Sequence, residues 1–383
     1  MPFDVAGGRK RVLLLVPDIA DIVTCNRVEA FREAGHELIV VGFRRGRYKR
    51  PDPDGGPHVC LGRTADGCYS QRLAALVGAL PRLVSIRRTL RQVEAVYARN
   101  IDQLILALFC RFLLGVKAPI FYEVLDIQPI FVGDGLASRL VRLIERACLK
   151  RVRLLILSSG GFHANFYLPV QRYQGRWFLL ENKLPLAFRA AARRPQAAAR
   201  APFAGGIAVG YFGLIRGDAT LDLIERLARR LRGRVTFRFA GIATSVDPTR
   251  FRQVVDDNDN IFYEGQYANP ADLPRLYGSV DFAWALDLEN IAGNSRWLMP
   301  CRFYEAGWFG VPCLAARGFE VGRAIEENDC GWTFEAPYEE ELAAFFRSVT
   351  AEQYQRKRDR LLALPDGTFV AGAAADGLAS ILR

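Results

Sequence analysis

The chain has 383 residues, half of them hydrophobic, enough for two ordinary domains with full cores. Its net charge of +11 asks for an anionic partner: a membrane surface, a nucleic acid or a phosphorylated substrate. The surplus is spread along the chain, with no basic tail and no zinc-finger, RNP-like or basic-zipper pattern, so nucleic acid is not the expected partner.

The first half alternates strands and helices. Arg11–Val16 reads as a strand, 26–34 as a helix and 37–42 as the next strand. No G-x-G-x-x-G follows the first strand, so no dinucleotide site is expected there. The apolar run from Val12 to Val16 ends at Pro17-Asp18, too short for a signal-peptide core. No run reaches the roughly 18–20 apolar residues of a membrane span. Eight cysteines form no C-x-x-C pair and three histidines leave little for metal ligation, which predicts scattered thiols in a cytosolic protein. Asn26 and Arg27 open the first helix near the place to which the strand ends point; they either touch a ligand or form a solvated helix start. His36, in the turn after that helix, is expected to be structural. Asp52-Pro53-Asp54 matches a D-x-D metal pattern, as does Asp257-Asn258-Asp259, but both lie in turn-forming surroundings and neither is expected to hold a metal.

Residues 70–93 form a basic helical region with Leu73, Leu76, Val77 and Leu80 near one face, broken in two by Pro81. It is either an amphipathic helix on the sheet or a membrane-surface helix. Strand 94–97, helix 101–114 and strand 119–123 continue the alternation. The segment from Glu123 to Asp126 then leaves a strand's carboxyl end, the edge at which open α/β sheets bind ligands. Asp126 reads as a ligand-facing carboxylate or as a turn aspartate. A basic helix over 136–150 and a strand over 154–157 precede Ser158-Ser159-Gly160-Gly161-Phe162, and 178–180 leads into Glu181-Asn182-Lys183. Lys183 faces either a phosphate or solvent.

Residues 187–204, rich in Ala, Arg and Pro, read as a linker. Strand 207–212 starts a second β-α-β series, and Gly213 to Gly217 reads as a glycine turn opening a helix capped by Asp218. Such a turn lets backbone N–H groups approach a diphosphate, with Arg216 adding charge. Tyr267, after strand 260–264, lines a base pocket or packs. Strand 280–286 ends at Asp287 and opens the stretch around which the chain is organised, from Asn294 to Ala315. Pro300 suits a first helical turn, Gly310 stops the helix, and 311–315 is a buried strand. Arg302 and Glu305 are three apart and share a face among aromatic neighbours. They are either a structural ion pair or a carboxylate chelating two vicinal sugar hydroxyls beside a guanidinium on a phosphate.

That run resembles the signature of GT-B glycosyltransferases related to family 4, and most of all bacterial exopolysaccharide enzymes of the succinoglycan glucosyltransferase type. The loop Tyr122-Glu123-Val124-Leu125-Asp126-Ile127-Gln128-Pro129, the Ser158 to Phe162 run and Glu181-Asn182-Lys183 are similar to the same enzymes, over about residues 10–335. The resemblance implies two Rossmann-like, doubly wound α/β domains facing across a cleft. It places an acceptor domain at 1–186, a linker at 187–204, a nucleotide-sugar domain at 205–350 and a helical tail at 351–383 that crosses back to the first domain.

By the same resemblance Glu305 holds the nucleotide ribose and Arg302 faces the diphosphate, with Gly213 and Arg216 also on the donor; Tyr267 is the donor-side candidate that its place after a strand adds. Asp126 contacts the acceptor hydroxyl or acts as its base, with Asn26, Arg27 and Glu123 on the acceptor side. Two departures stand out: Trp297 occupies the position where many relatives carry a Glu on the donor sugar, and Leu125 the position of a His in more distant ones. Asn294, Ser295 and Arg296 are the replacements considered for the former. The implied reaction moves a hexose from a nucleotide-sugar, UDP-glucose or similar, to a lipid-linked saccharide on the anionic inner face of the cytoplasmic membrane. No metal and no cofactor are expected, because a helix amino terminus and basic side chains take the phosphate charge. The competing reading, kept alive by the two departures, is a non-catalytic sugar- or nucleotide-binding subunit of a polysaccharide assembly complex.

Overall fold

The computed structural model describes residues 8–46, 58–64, 69–195, 201–372, 377 and 381–382. Asp52-Pro53-Asp54 lies outside them. The chain divides into two compact units, Met1–Glu181 with Gly372–Arg383, and Asn182–Ala371.

The first unit is built on seven parallel strands: β1 (Arg11–Val16), β2 (Glu37–Arg44), β3 (His58–Arg63), β4 (Ala95–Arg99), β5 (Ile120–Val124), β6 (Leu154–Leu157) and β7 (Trp177–Leu179). Their order is β3-β2-β1-β4-β5-β6-β7, so the chain reverses direction across the sheet between β1 and β4. Leu13 stands opposite both Ile39 and Val96, and Val12 to Val16 are wholly buried. An unbroken apolar run is what a parallel strand covered on both faces requires. Helices fill the crossovers: α1 (Ile22–Glu33), α2 (Tyr69–Ser85), α3 (Arg87–Leu90), α4 (Asn100–Leu113), α5 (Pro129–Val132) and α6 (Leu136–Leu149). Pro81 lies inside α2 without ending it. From the far end of the sequence, Ile381 and Leu382 join the core formed by β1, β2 and Phe31 of α1. His36 is buried and accepts the Lys10 backbone N–H at 3.2 Å, a structural role.

The second unit repeats the plan with six parallel strands: β8 (Ile207–Arg216), β9 (Val235–Ser245), β10 (Ile261–Tyr263), β11 (Phe282–Trp284), β12 (Cys313–Ala316) and β13 (Gly331–Phe334), ordered β10-β9-β8-β11-β12-β13. Its core is aromatic, with Trp284, Tyr277 and Tyr304 almost fully buried. The expected linker starts differently from the sequence reading: Phe188 opens a short helix (Phe188–Ala191) and is buried against Trp308 and Phe309 of this unit. The division between units falls at Glu181/Asn182, five residues before the expected boundary.

A second difference concerns the glycine turn. Gly213 to Arg216 do not turn; they extend β8, paired with Gly241 to Ser245 of β9 with a register shift between Ile215 and Arg216. Two glycines permit this. Gly213 and Gly241 face each other at φ +105° and +131°, and a Cβ on Gly241 would stand 1.9 Å from the Gly213 carbonyl oxygen. The turn is Gly217 alone, at φ +75°, and the helix Asp218–Arg230 follows with Asp218 as its first residue rather than its cap.

Candidate functional site

In the second unit the residues singled out on the sequence gather at the carboxyl ends of β8 and β11. Pro300 caps the helix Cys301–Trp308, whose residues Phe303 to Trp308 are buried; from it Arg302 reaches β8 and β11. The Arg302 guanidinium donates to three backbone carbonyls: Phe212 at 2.7 Å and Leu214 at 3.2 Å from β8, and Trp284 at 2.7 Å from β11. It also stacks over the Tyr211 ring, 4.2 Å from its centre. Arg302 thus fastens two strand ends together, and a planar fork suits that task where a lysine does not. A guanidinium has five N–H donors. Three are used here, which leaves two on a half-buried side chain for an anion.

Glu305 is 7% exposed, and among the described residues it makes no ion pair with Arg302. The structural ion pair is therefore replaced by a different arrangement. Tyr277 donates its hydroxyl to one carboxylate oxygen at 2.8 Å, and the Asn269 amide donates to the other at 3.2 Å. Burial pushes the Glu305 carboxyl above the ordinary carboxylate range, against the Tyr277 hydrogen bond, the nearby Arg302 charge and the Asn269 amide. Each carboxylate oxygen has two lone pairs, so one acceptor site on each is still uncommitted. Tyr267 completes the group: its hydroxyl stands 4.0 Å from where a Cβ on Gly213 would lie, and burial together with the Glu305 charge keeps it protonated.

The remaining donor-side candidates sit in the flanking loops. Arg216 ends β8, its N–H donating to the Tyr211 hydroxyl at 3.1 Å. Asn294 and Ser295 are buried in the short helix Asn294–Trp297. Ser295 Oγ donates to Asp287 at 3.0 Å and accepts the Asn290 N–H at 3.0 Å, so its hydroxyl braces the loop that follows β11. Arg296 is exposed. That loop abuts the Gly217 turn, where a Cβ would meet Glu289 at 3.0 Å. Lys183 donates to the Gly367 carbonyl at 2.9 Å, and Asp259 is held by Arg232 at 2.6 Å. Among the described residues no cluster of three or more His, Cys, Asp or Glu side chains could hold a metal ion.

In the first unit the carboxyl ends of β4 and β5 carry a charged group that the sequence reading placed on the acceptor side. Glu123 is fully buried between two arginines: Arg27 from α1 at 2.6 Å, and Arg99, the last residue of β4, at 2.8 Å. Arg99 also donates to Thr24 at 2.7 Å. Burial works to raise the Glu123 carboxyl, but the two guanidinium charges outweigh it and hold it below the ordinary range. Glu123 has no exposed surface, and its pairing with Arg27 ties α1 to the carboxyl end of β5. Asn26, one residue earlier, stays half-buried. Arg99 was missed because its strand reads as ending at Tyr97.

Asp126 is exposed on the loop after β5. The residue before it is pinned on both sides, its N–H by Asn100 Oδ1 at 3.5 Å and its carbonyl by the Ser158 hydroxyl at 3.1 Å. Beneath lies a recess of about 10 Å³ lined by Asp126, Asn100, Gln128 and Glu145. Glu145, another residue the sequence reading missed, accepts hydrogen bonds from Tyr122 at 2.8 Å, Tyr167 at 2.9 Å and Gln171 at 2.5 Å. Burial raises its carboxyl against those three bonds.

No protein-family model matches the chain. It is 30% identical to the succinoglycan biosynthesis protein ExoL of Rhizobium meliloti (strain 1021), over 94% of this chain and 90% of that one. Among solved structures it is similar to Anabaena Alr3699/HepE in complex with UDP and glucose, with a TM-score of 0.68 at 15% identity over 98% and 99% of the two chains. WaaG, a glycosyltransferase involved in lipopolysaccharide biosynthesis, gives a TM-score of 0.66 at 12% identity over 97% and 99%. Two parallel doubly wound sheets with polar side chains gathered at their carboxyl edges define a GT-B fold. The chain belongs to the GT-B glycosyltransferases, in the group of the bacterial succinoglycan-type exopolysaccharide enzymes, and is accordingly a transferase.

Proposed function

We propose that this enzyme transfers a hexose from a UDP-sugar, UDP-glucose or a close analogue, to a lipid-linked saccharide during exopolysaccharide synthesis at an anionic membrane surface. The observation that carries the reading is the convergence of Gly213, Tyr267, Arg302 and Glu305 at the ends of β8 and β11. Glu305 accepts the two ribose hydroxyls on its uncommitted lone pairs. The spare N–H groups of Arg302, with Arg216, meet the diphosphate and stabilise its growing charge as the glycosidic bond breaks. A glycine at 213 leaves room for the nucleotide beneath Tyr267. Asp126 receives the acceptor hydroxyl, and the reaction proceeds without a metal or cofactor. Asn294 and Ser295 shape the donor loop rather than grip the hexose, which leaves the exposed Arg296 as the replacement for the carboxylate absent at Trp297. Nucleic acid has no part in it.

The test is release of UDP from a panel of UDP-sugars in the presence of bacterial lipid extract, beside calorimetric titration of UDP. Micromolar UDP binding with lipid-dependent turnover of one donor is the expected result. Absence of UDP binding would overturn the donor assignment.

A further inference from the structure

Three helices of the first unit, α2, α4 and α6, lie side by side as one layer, α4 touching both neighbours. Their outward faces are apolar to an unusual degree. On α6, Leu136, Leu140 and Leu143 are 84%, 59% and 57% exposed, at the spacing that puts them on one stripe. On α4, Phe112 and Leu113 are 61% and 71% exposed, and on α2 Leu73 is 65% exposed. The Arg151 guanidinium lies 5.6 Å from the Phe112 ring centre, which joins the end of α4 to the end of α6. Large apolar side chains exposed on neighbouring helices mark an interaction surface.

The charge around that layer selects the partner. The helices α2, α3, α4 and α6 contain eight arginines and two carboxylates. Neither carboxylate is available as an outward negative charge: Asp102 is paired with Arg72 at 2.5 Å, and Glu145 is buried. Arg82 and Arg139 are exposed within the layer and Lys150 just beyond α6, against one exposed carboxylate, Asp134, just before it. A second copy of the chain would bring this basic rim against itself, so self-association is disfavoured by like charge. A bilayer of anionic lipid offers apolar depth and negative headgroups together.

We propose that the α2–α4–α6 layer is a membrane-docking face that inserts the leucines of α6 and the end of α4 into the headgroup boundary of an anionic bilayer. It rests on the membrane reading above and deepens it: the sequence places the basic helical region at 70–93, whereas the structure puts most of the exposed apolar surface on α4 and α6. The exposed leucines provide depth, and the arginines select anionic lipid.

The experiment is sedimentation of the full chain with vesicles of phosphatidylcholine alone or with phosphatidylglycerol, at low and high salt. It compares the unchanged protein, Leu140→Ser/Leu143→Ser, and Phe262→Ser, an exposed apolar position of the second unit. UDP titration reports the fold and the donor site of each. The expected result is binding to anionic vesicles, weakened by salt and reduced at least roughly tenfold in the double variant, with UDP affinity unchanged and Phe262→Ser unaffected. If the double variant binds as the unchanged chain does, or Phe262→Ser falls equally, the face is wrong while membrane attachment stands. If the unchanged chain ignores anionic vesicles, membrane attachment itself falls, and UDP binding still decides the transferase reading. A dimer in sedimentation velocity that the double variant dissolves would overturn the proposal in favour of a second copy as the partner.

Discussion

Replacing Glu305 by Gln tests the donor site at the point where structure and function compete most directly. The carboxylate sits among Tyr277, Asn269 and the field of Arg302, with burial raising its carboxyl. Gln keeps the shape and one acceptor oxygen, and the Tyr277 hydroxyl can rotate to meet either. On the proposed donor reading, what is lost is one of two charge-assisted bonds to vicinal ribose hydroxyls, each contributing about 1.5–3 kcal/mol before desolvation. UDP affinity should therefore fall about tenfold to a hundredfold, and that of a UDP-sugar in parallel. The apo protein should melt within a few degrees of the original, because a neutral amide escapes the burial penalty that raises the acid. Tyr277→Phe is the control. It removes the hydroxyl that holds Glu305 but leaves the carboxylate, so UDP affinity should fall less than in Glu305→Gln. Titration calorimetry and apo melting curves are the measurements. Unchanged UDP affinity in Glu305→Gln with a clearly lowered melting point would refute the reasoning and make Glu305 an element of the fold.

The other predictions follow from the first unit. Asp126→Asn should lower turnover by about 10²–10⁴ while UDP affinity stays within twofold, as steady-state kinetics beside calorimetry will show. Glu123→Gln leaves Arg27 and Arg99 buried without their counter-charge and should cost about 3–5 kcal/mol in urea unfolding. Since the Glu123 carboxyl is held below its unfolded value, its stabilisation is present above the ordinary carboxylate range and is lost as pH falls toward the lowered value. Glu145 has the opposite sign. Its raised carboxyl favours the folded state at low pH, and that contribution fades as pH rises through the raised value. Glu145→Gln, with the Gln171 amide turned over to present its oxygen, should flatten the pH dependence of the melting temperature in that range at little cost near neutrality.

Much of the architecture was legible because parallel strands covered on both faces must be written as apolar runs, as in Val12 to Val16 or Leu154 to Leu157. The helix that carries Arg302 and Glu305 was legible for a similar reason, since Pro300 and Gly310 bracket it with their backbone constraints. What could not be read are contacts between distant positions. Arg27 meets Glu123 across 96 residues and Arg302 meets the Phe212 carbonyl across 90, and local spacing carries no trace of either. Hence the sequence offers Arg302 a Glu305 ion pair or a phosphate, whereas its hydrogen bonds go to strand carbonyls. The misread turn at Gly213 has another cause. A glycine signals a positive φ whether the chain bends there or runs straight past a close neighbour, and only Gly241, 28 positions on, decides between them.

The first unit takes core residues from both ends of the sequence, with Ile381 and Leu382 packed among β1, β2 and α1. On a ribosome adding about 5–20 residues per second, roughly 10–40 s separate the synthesis of Glu181 from that of Ile381. The second unit is complete by Ala371. The half made first is therefore the half finished last, and until then part of its core stands open to chaperones or to premature partners. A frameshift or nonsense change after Ala371 would spare the second unit, which it follows in the gene, and damage the first.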